Sequence, residues 1–455
     1  MKHTREHWGS RLGFILAAAG SAVGVGSLWR FPYMTGQNGG GAFIMLYLGF
    51  TFLIGLPVFI AELIIGRKTQ KSAVMAYPAL TGKSEWKFIG WINVLSCLII
   101  LAFYSVVIGW GVSYTLMSLT QFTKGLSPTE ISEVYDKLYR SADINILWLF
   151  VVLLINVGIV LSGVRKGIEH WAKILMPALF VFLIGLLCYS LTLEGLPQAL
   201  RFIFYPDFSK VTPSAVLSAL GMAFFTLSVA LGIILTYGSY MKSNEDIPKT
   251  ACIVAVTTVS VSLLASIMIF PIVFTFGHAP SAGIGLVFKT LPVLFSQLPG
   301  TLILSTIFFS LFVFTGLTSS ISLLEMLVAN VMENFQMTRK KAVMWTALGT
   351  FIVGIPCAVS GTDTLFANWP KIYGQDFFLT MDFLTNNWLM PIAGIITTVF
   401  VGWVVDKNVV KSEFQSGTKW MCWYGPWRFM IRYVAPVVVA IIILEEAGIT
   451  HFGGG

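Results

Sequence analysis

Residues 20–32 read GSAVGVGSLWRFP, apolar enough to lie in a membrane yet with Gly20, Gly24 and Gly26 near the middle and Arg30 just before Phe-Pro. Glycine weakens a helix interior by roughly 1 kcal/mol relative to alanine, and a charge inside hydrocarbon is costly. A helix built only to span has no use for either. Small-residue packing accounts for Gly20 and Gly24, which stand four apart. It leaves Gly26, Ser27 and Arg30 without a reason, so the stretch reads as a break, with the helix unwinding around Ala22 to Gly24.

The rest of the chain fits a membrane setting. Its 455 residues are 56% hydrophobic and 11% charged, with mean hydropathy +0.81, beyond what a water-soluble domain buries. Crossing the hydrocarbon takes roughly 20 helical residues. Runs of that kind fall near 12–36, 41–66, 89–120, 144–162, 168–192, 214–240, 249–277, 298–332, 341–359, 374–405 and 429–448. The sequence therefore predicts eleven helices in one all-α membrane domain covering 1–455, with no soluble domain and no cleavable signal.

The net charge of +8 is placed where a membrane protein needs it rather than where nucleic acid would. Arg5 and Arg11 precede the first span; Arg67, Lys68 and Lys71 follow the second, Lys242 the sixth, Arg339 and Lys340 the eighth, and Lys407, Lys411 and Lys419 the tenth. All of these loops share one side, which the positive-inside rule makes cytoplasmic. The N-terminus is then cytoplasmic, an odd helix count puts the C-terminus outside, and a cell membrane is the expected location. The five cysteines are scattered and suggest neither disulfides nor a metal site.

A second interrupted segment lies at residues 221–240, GMAFFTLSVALGIILTYGSY, where Thr226, Ser228 and Gly232 cut an apolar run. Five spans separate the two interruptions. An odd repeat unit must be inverted relative to its partner, and matching breaks in two halves mark a transporter's binding site. The expected repeats are about 10–192 and 214–405, with helix 429–448 outside them.

Broken helices expose their ends. The inner half of the first span would offer free carbonyls to a hard cation, and its outer half would begin with free amides at Val25 and Gly26, suited to a carboxylate. The sixth span, entering from the other face, would end its outer half near Phe225 and Thr226 with carbonyls facing an ammonium. A zwitterion fits between them. Glycine at 24, where a side-chain carboxylate could serve a simple amine, favours substrates that bring their own acid. In the eighth span, FTGLTSSISLLE (314–325), Thr318 and Ser319 add adjacent hydroxyls. Arg30 and Asp382, at similar depth, would pair as a gate above the site, helped by Tyr104 and Phe225.

These residues resemble the neurotransmitter:sodium symporter family, with its LeuT-type fold. The likeness runs through REHWGSRLGFILAAAG (5–20), GVGSLWRFP (24–32), NGGGAF (38–43), RKGIEHWAKILMP (165–177), FFTLS (224–228), TYGSY (236–240) and GLTSS (316–320). Bacterial members that carry many hydrophobic amino acids are the most similar. The resemblance implies a 5+5 inverted repeat with the first and sixth helices broken.

It also implies two sodium sites. The first would use carbonyls of Ala22 and Thr226, side chains of Ser27, Thr226 and Thr258, and the substrate carboxylate. The second would use carbonyls of Gly20, Val23 and Thr315 with the hydroxyls of Thr318 and Ser319. The substrate carboxylate would meet Val25, Gly26 and Tyr104, and its amine the carbonyls of Ala22, Phe225 and Thr226, with Ser228 nearby. Ile100, Phe225, Leu231, Ser319 and Leu323 would line the side-chain pocket, and Arg5, Trp8 and Glu333 would close the inner gate. Ser27 stands where asparagine is usual, and Leu231 where an aromatic ring is common. Chloride dependence stays open, with Tyr47, Thr226 and Ser262 in the region and Met222 apolar. Eleven spans, against the usual twelve, leave the oligomeric state open.

The expected activity is sodium-coupled symport of aliphatic and aromatic L-amino acids by alternating access. A proton-coupled permease would need a titratable group near Thr318 and Ser319. An enzyme would need a nucleophile with its base, or H-E-x-x-H, and the sequence shows neither. A channel conflicts with an Arg30–Asp382 pair across the path. Gly167 and Pro177 are expected to let the fifth span loosen and release sodium inward.

Overall fold

The computed structural model describes residues 5–278, 285–362, 365–446 and 449. Positions 447 and 448 of the expected last span, and the tail beyond 449, lie outside the described residues. Among the described residues the chain is helical throughout; the only β-type pairing is an isolated bridge between Gly40 and Pro206.

Among the described residues nine helices are long and apolar enough to cross a membrane, and the bent pair Arg11–Ala22 and Gly26–Gln37 makes a tenth if counted as one. The expected sixth span does not meet that test as one helix. It is split into Pro213–Thr226 and Ile233–Gly238, 14 and 6 residues long. Two of the connections between spans carry helices of their own, Pro128–Arg140 and Leu196–Phe204.

Loops that the charge pattern assigns to one side do meet. Lys71 pairs with Glu333 at 3.3 Å, Gln70 donates to the Met241 carbonyl at 3.1 Å, and Arg339 pairs with Glu6 at 3.6 Å. We call this the inner face. At the opposite face Lys289 pairs with Asp136 at 2.7 Å, and the Tyr139 hydroxyl donates to Asp376 at 2.6 Å.

The long helices Ser84–Leu119 and Thr301–Phe335 pack along one another at the centre of the bundle. From Thr315 to Asn330 every residue of the second is buried, polar ones included. Glu325 is fully buried there and is held by Arg339 at 2.5 Å and by the Tyr240 hydroxyl at 2.7 Å. A carboxylate at that depth requires such partners.

Candidate functional site

Ser10 caps the first helix by accepting from the Gly13 amide at 3.0 Å. The helix ends at Ala22, Val23 turns out of helical geometry (φ −81°, ψ 71°), and the chain resumes at Gly26 with its axis bent by 49°. Close approach explains the glycines. A β-carbon at Gly24 would sit 2.6 Å from Ser319 Oγ and 2.7 Å from the Tyr104 oxygen, and one at Gly26 would sit 2.6 Å from the Phe225 ring.

The freed backbone groups are engaged. The Ser319 hydroxyl, on the eighth span, donates to the carbonyls of Gly20 (3.3 Å) and Ser21 (3.0 Å). Across the gap the Val25 amide donates to the Tyr104 hydroxyl at 2.6 Å.

The second break runs from Leu227 to Gly232. Ser228, Ala230 and Gly232 adopt left-handed geometry, with φ of 53°, 65° and 71°. For serine and alanine that conformation is strained and persists only where surroundings impose it. Here Ser228 Oγ donates to the Ser21 carbonyl at 3.0 Å, and the Ala230 amide donates to Glu62 Oε1 at 2.6 Å. Thr226 Oγ1 donates to the Met222 carbonyl at 2.8 Å and lies 3.1 Å from the Tyr47 hydroxyl.

A small cavity lies between the two breaks. Ala22, Gly26, Tyr104, Ser228 and Ser319 bring polar groups to its lining, and Ile100, Phe225, Leu231 and Leu323 bring apolar ones. Val25 and Thr226 do not line it; Val25 lines a second, outer cavity instead. Gly24, expected from sequence to leave room for the substrate's acid, also lines the inner cavity, as do Ser21 and Ile233, which were not expected there.

Phe225 touches both cavities. Above its ring stands Arg30 at 5.2 Å, and Arg30 binds Asp382 at 3.0 Å. Asn386 steadies this outer pair by donating to Asp382 Oδ1 at 2.8 Å. At the inner face Arg5 pairs with Glu333 at 3.6 Å and donates to Ser239. Trp8 is 2% exposed and its indole donates to the Tyr237 carbonyl at 3.0 Å. The residues expected at both gates are thus in contact with one another or with neighbouring backbone.

Oxygen dominates the expected cation positions. Ser27 Oγ is buried and has no hydrogen-bond partner. Thr258, expected beside it, turns its hydroxyl back to the Val254 carbonyl at 2.9 Å. At the other position Thr318 donates to the Thr315 carbonyl at 2.9 Å, and Gly20 abuts it closely enough that a β-carbon would lie 3.2 Å from Thr318 Cβ. Neutral oxygens of this kind suit a hard monovalent ion. Among the described residues no group of three His, Cys, Asp or Glu side chains could hold a metal.

Residues 5–137 and 129–451 match the profile of the sodium:neurotransmitter symporter family. The chain belongs to that family. This symporter is 35% identical to an uncharacterized sodium-dependent transporter, YhdH, of Bacillus subtilis over 98% of each chain. It is 26% identical to the sodium-dependent dopamine transporter of Bos taurus, over 97% of this chain and 68% of that one. The crystal structure of MhsT in complex with L-phenylalanine superposes with a TM-score of 0.90 at 38% identity, covering 97% of this chain and all of that one. The symporter is thus a sodium-dependent, multi-pass membrane transporter and not an enzyme.

Proposed function

We propose that this symporter moves hydrophobic L-amino acids across the cell membrane, coupled to sodium, by alternating access. The observation that carries the reading is the cavity between the two helix breaks, lined both by backbone and hydroxyl groups and by Ile100, Phe225, Leu231, Ile233 and Leu323. A zwitterionic head fits the polar groups and an aliphatic or aromatic side chain the apolar ones. Glycine at 24 keeps the carboxylate position open to the substrate's own acid. That the similar MhsT was solved with L-phenylalanine supports the same class.

In this reading the carboxylate takes the amides of Val25 and Gly26 and the Tyr104 hydroxyl, and the amine takes carbonyls of Ala22, Phe225 and Thr226 near Ser228. One sodium sits between Ala22, Ser27, Thr226, Thr258 and the carboxylate. A second sits among Gly20, Val23, Thr315, Thr318 and Ser319. Sodium and substrate share a contact, so each strengthens the other's binding by the same factor. The sodium gradient drives the cycle, with about 2.3 kcal/mol per charge for each 100 mV of membrane potential. The two breaks take equivalent places in inverted repeats of about 10–192 and 214–405, with the N-terminus cytoplasmic and the C-terminus outside.

The test is uptake into proteoliposomes of a labelled panel from alanine to tryptophan, with and without an inward sodium gradient. Accumulation of leucine, phenylalanine or tryptophan only under the gradient is expected. Uptake that persists unchanged without sodium, or that favours charged side chains, would defeat the reading.

A further inference from the structure

The tenth span, Phe377–Val404, ends at the inner face, and the eleventh, Met421–Glu445, begins there. Two arginines one turn apart on the eleventh face the end of the tenth. Arg428 donates to the carbonyls of Val401 (2.6 Å) and Gly402 (2.8 Å), which a helix terminus leaves without intrahelical partners. Arg432 is different. Among the described residues its side chain makes no ion pair, and its Nε, like that of Arg428, is buried without a partner. Its guanidinium lies 4.1 Å over the Trp403 ring and 5.5 Å from the Tyr433 ring.

Neighbouring acids are committed elsewhere. Asp406 caps Lys407–Gln415 by accepting from the Asn408 amide at 2.7 Å. Glu413 is held by Arg67 at 2.8 Å and Lys68 at 3.6 Å. The Lys407–Gln415 helix rests against the eleventh span through Phe414 and Trp427, 5.0 Å apart, and keeps Lys407 and Lys411 exposed. Trp403, Trp423 and Tyr433 are exposed around the same rim, as aromatic rings at a headgroup boundary are.

Two like charges one helical turn apart repel, and here no carboxylate offsets them. A phosphate diester supplies both the charge and the paired oxygens that a guanidinium fork accepts best. We propose that Arg432, stacked on Trp403 beside Arg428, binds the phosphate of an anionic phospholipid in the leaflet at the inner face, with Lys407 and Lys411 drawing that lipid to the site. The binding holds the ends of the tenth and eleventh spans together where Gly402 already packs tightly on Arg432, a β-carbon there falling 3.2 Å from Arg432 Cα.

Native mass spectrometry of the full chain, titrated with phosphatidylglycerol or phosphatidylcholine, tests this. Arg432→Gln is expected to weaken phosphatidylglycerol retention about fivefold, the worth of one basic side chain at a membrane surface. It should leave phosphatidylcholine retention and sodium-dependent substrate binding unchanged. Lys242→Gln removes an exposed charge from the same face and should change neither lipid. Equal phosphatidylglycerol retention by wild type and Arg432→Gln, or an equal loss in Lys242→Gln, would overturn the proposal. So would displacement of the lipid by millimolar inorganic phosphate. Should Arg432→Gln fail to fold, the wild-type protein still decides. Hydrogen exchange across residues 424–434 must be slower in phosphatidylglycerol than in phosphatidylcholine nanodiscs, and equal rates sink the idea.

Discussion

The hydroxyl of Tyr104 accepts a 2.6 Å hydrogen bond from the amide of Val25, at the start of the outer half of the first span. That bond holds in place the donor expected to receive the substrate's carboxylate. Tyr104→Phe keeps the buried ring and removes the hydroxyl. It should weaken amino-acid binding by about tenfold to a hundredfold, the range for hydrogen bonds to charged groups. Sodium binding without substrate should be little changed. Isothermal titration with leucine decides, and wild-type affinity in the variant would take Tyr104 out of the site.

Ser27 offers a sharper case, because its buried hydroxyl has no partner in the protein. Ser27→Ala removes an unsatisfied polar group, so the sodium-free protein should melt at the same temperature or higher. The stabilisation gained on adding sodium should shrink. A sodium-dependent shift in melting temperature equal to wild type would exclude Ser27 as a ligand.

Leu231 is 3% exposed and lines the inner cavity. Leu231→Phe fills space that a bulky substrate would use. Overfilling a packed site costs about 1–3 kcal/mol, so tryptophan binding should fall roughly tenfold or more relative to valine. A panel of competing amino acids measures the ratio, and an unaltered ranking would move the side-chain pocket elsewhere.

The outer pair of Arg30 and Asp382 is partly exposed, at 18% and 25% of their side chains. Asp382→Asn should cost the closed state about 1–3 kcal/mol, between the values for surface and buried pairs. Sodium-dependent binding should survive while uptake falls. Loss of both in equal measure would instead point to misfolding or to a direct contact with substrate.

Gly167 sits in the Val164–Glu169 turn of the fifth span, so close to the Ile159 carbonyl that a β-carbon there would overlap it. Gly167→Ala should slow uptake more than it weakens binding. Hydrogen exchange across residues 164–177 of the wild type should rise when sodium is removed. No sodium-dependent change in that segment would end its proposed part in ion release.

Both interruptions and the Arg30–Asp382 pair were legible because each breaks a rule of membrane helices, whereas Arg5, Trp8 and Glu333 came only from the family resemblance. Glycines, hydroxyls and charges stand out in apolar runs, and Gly24, Thr226, Arg30 and Asp382 were such letters. What stayed hidden acts through atoms that letters do not name. Ser21 contributes its carbonyl, shared by Ser228 and Ser319. The left-handed turns at Ser228 and Ala230 carry no glycine to announce them. Glu62, which holds the Ala230 amide, could have been found as the lone acid in the second span. The break in 214–240 was readable from Thr226, Ser228 and Gly232, but not that the helix beyond it would run only six residues, Ile233–Gly238.

In the proposed cycle, closure at both ends has a kinetic consequence. A molecule held between Arg30–Asp382 and Trp8 cannot leave by loosening its own contacts; it leaves when a barrier opens. Residence time should therefore be shared by ligands of very different strength, and changes to the chamber's lining should alter occupancy far more than exchange rate.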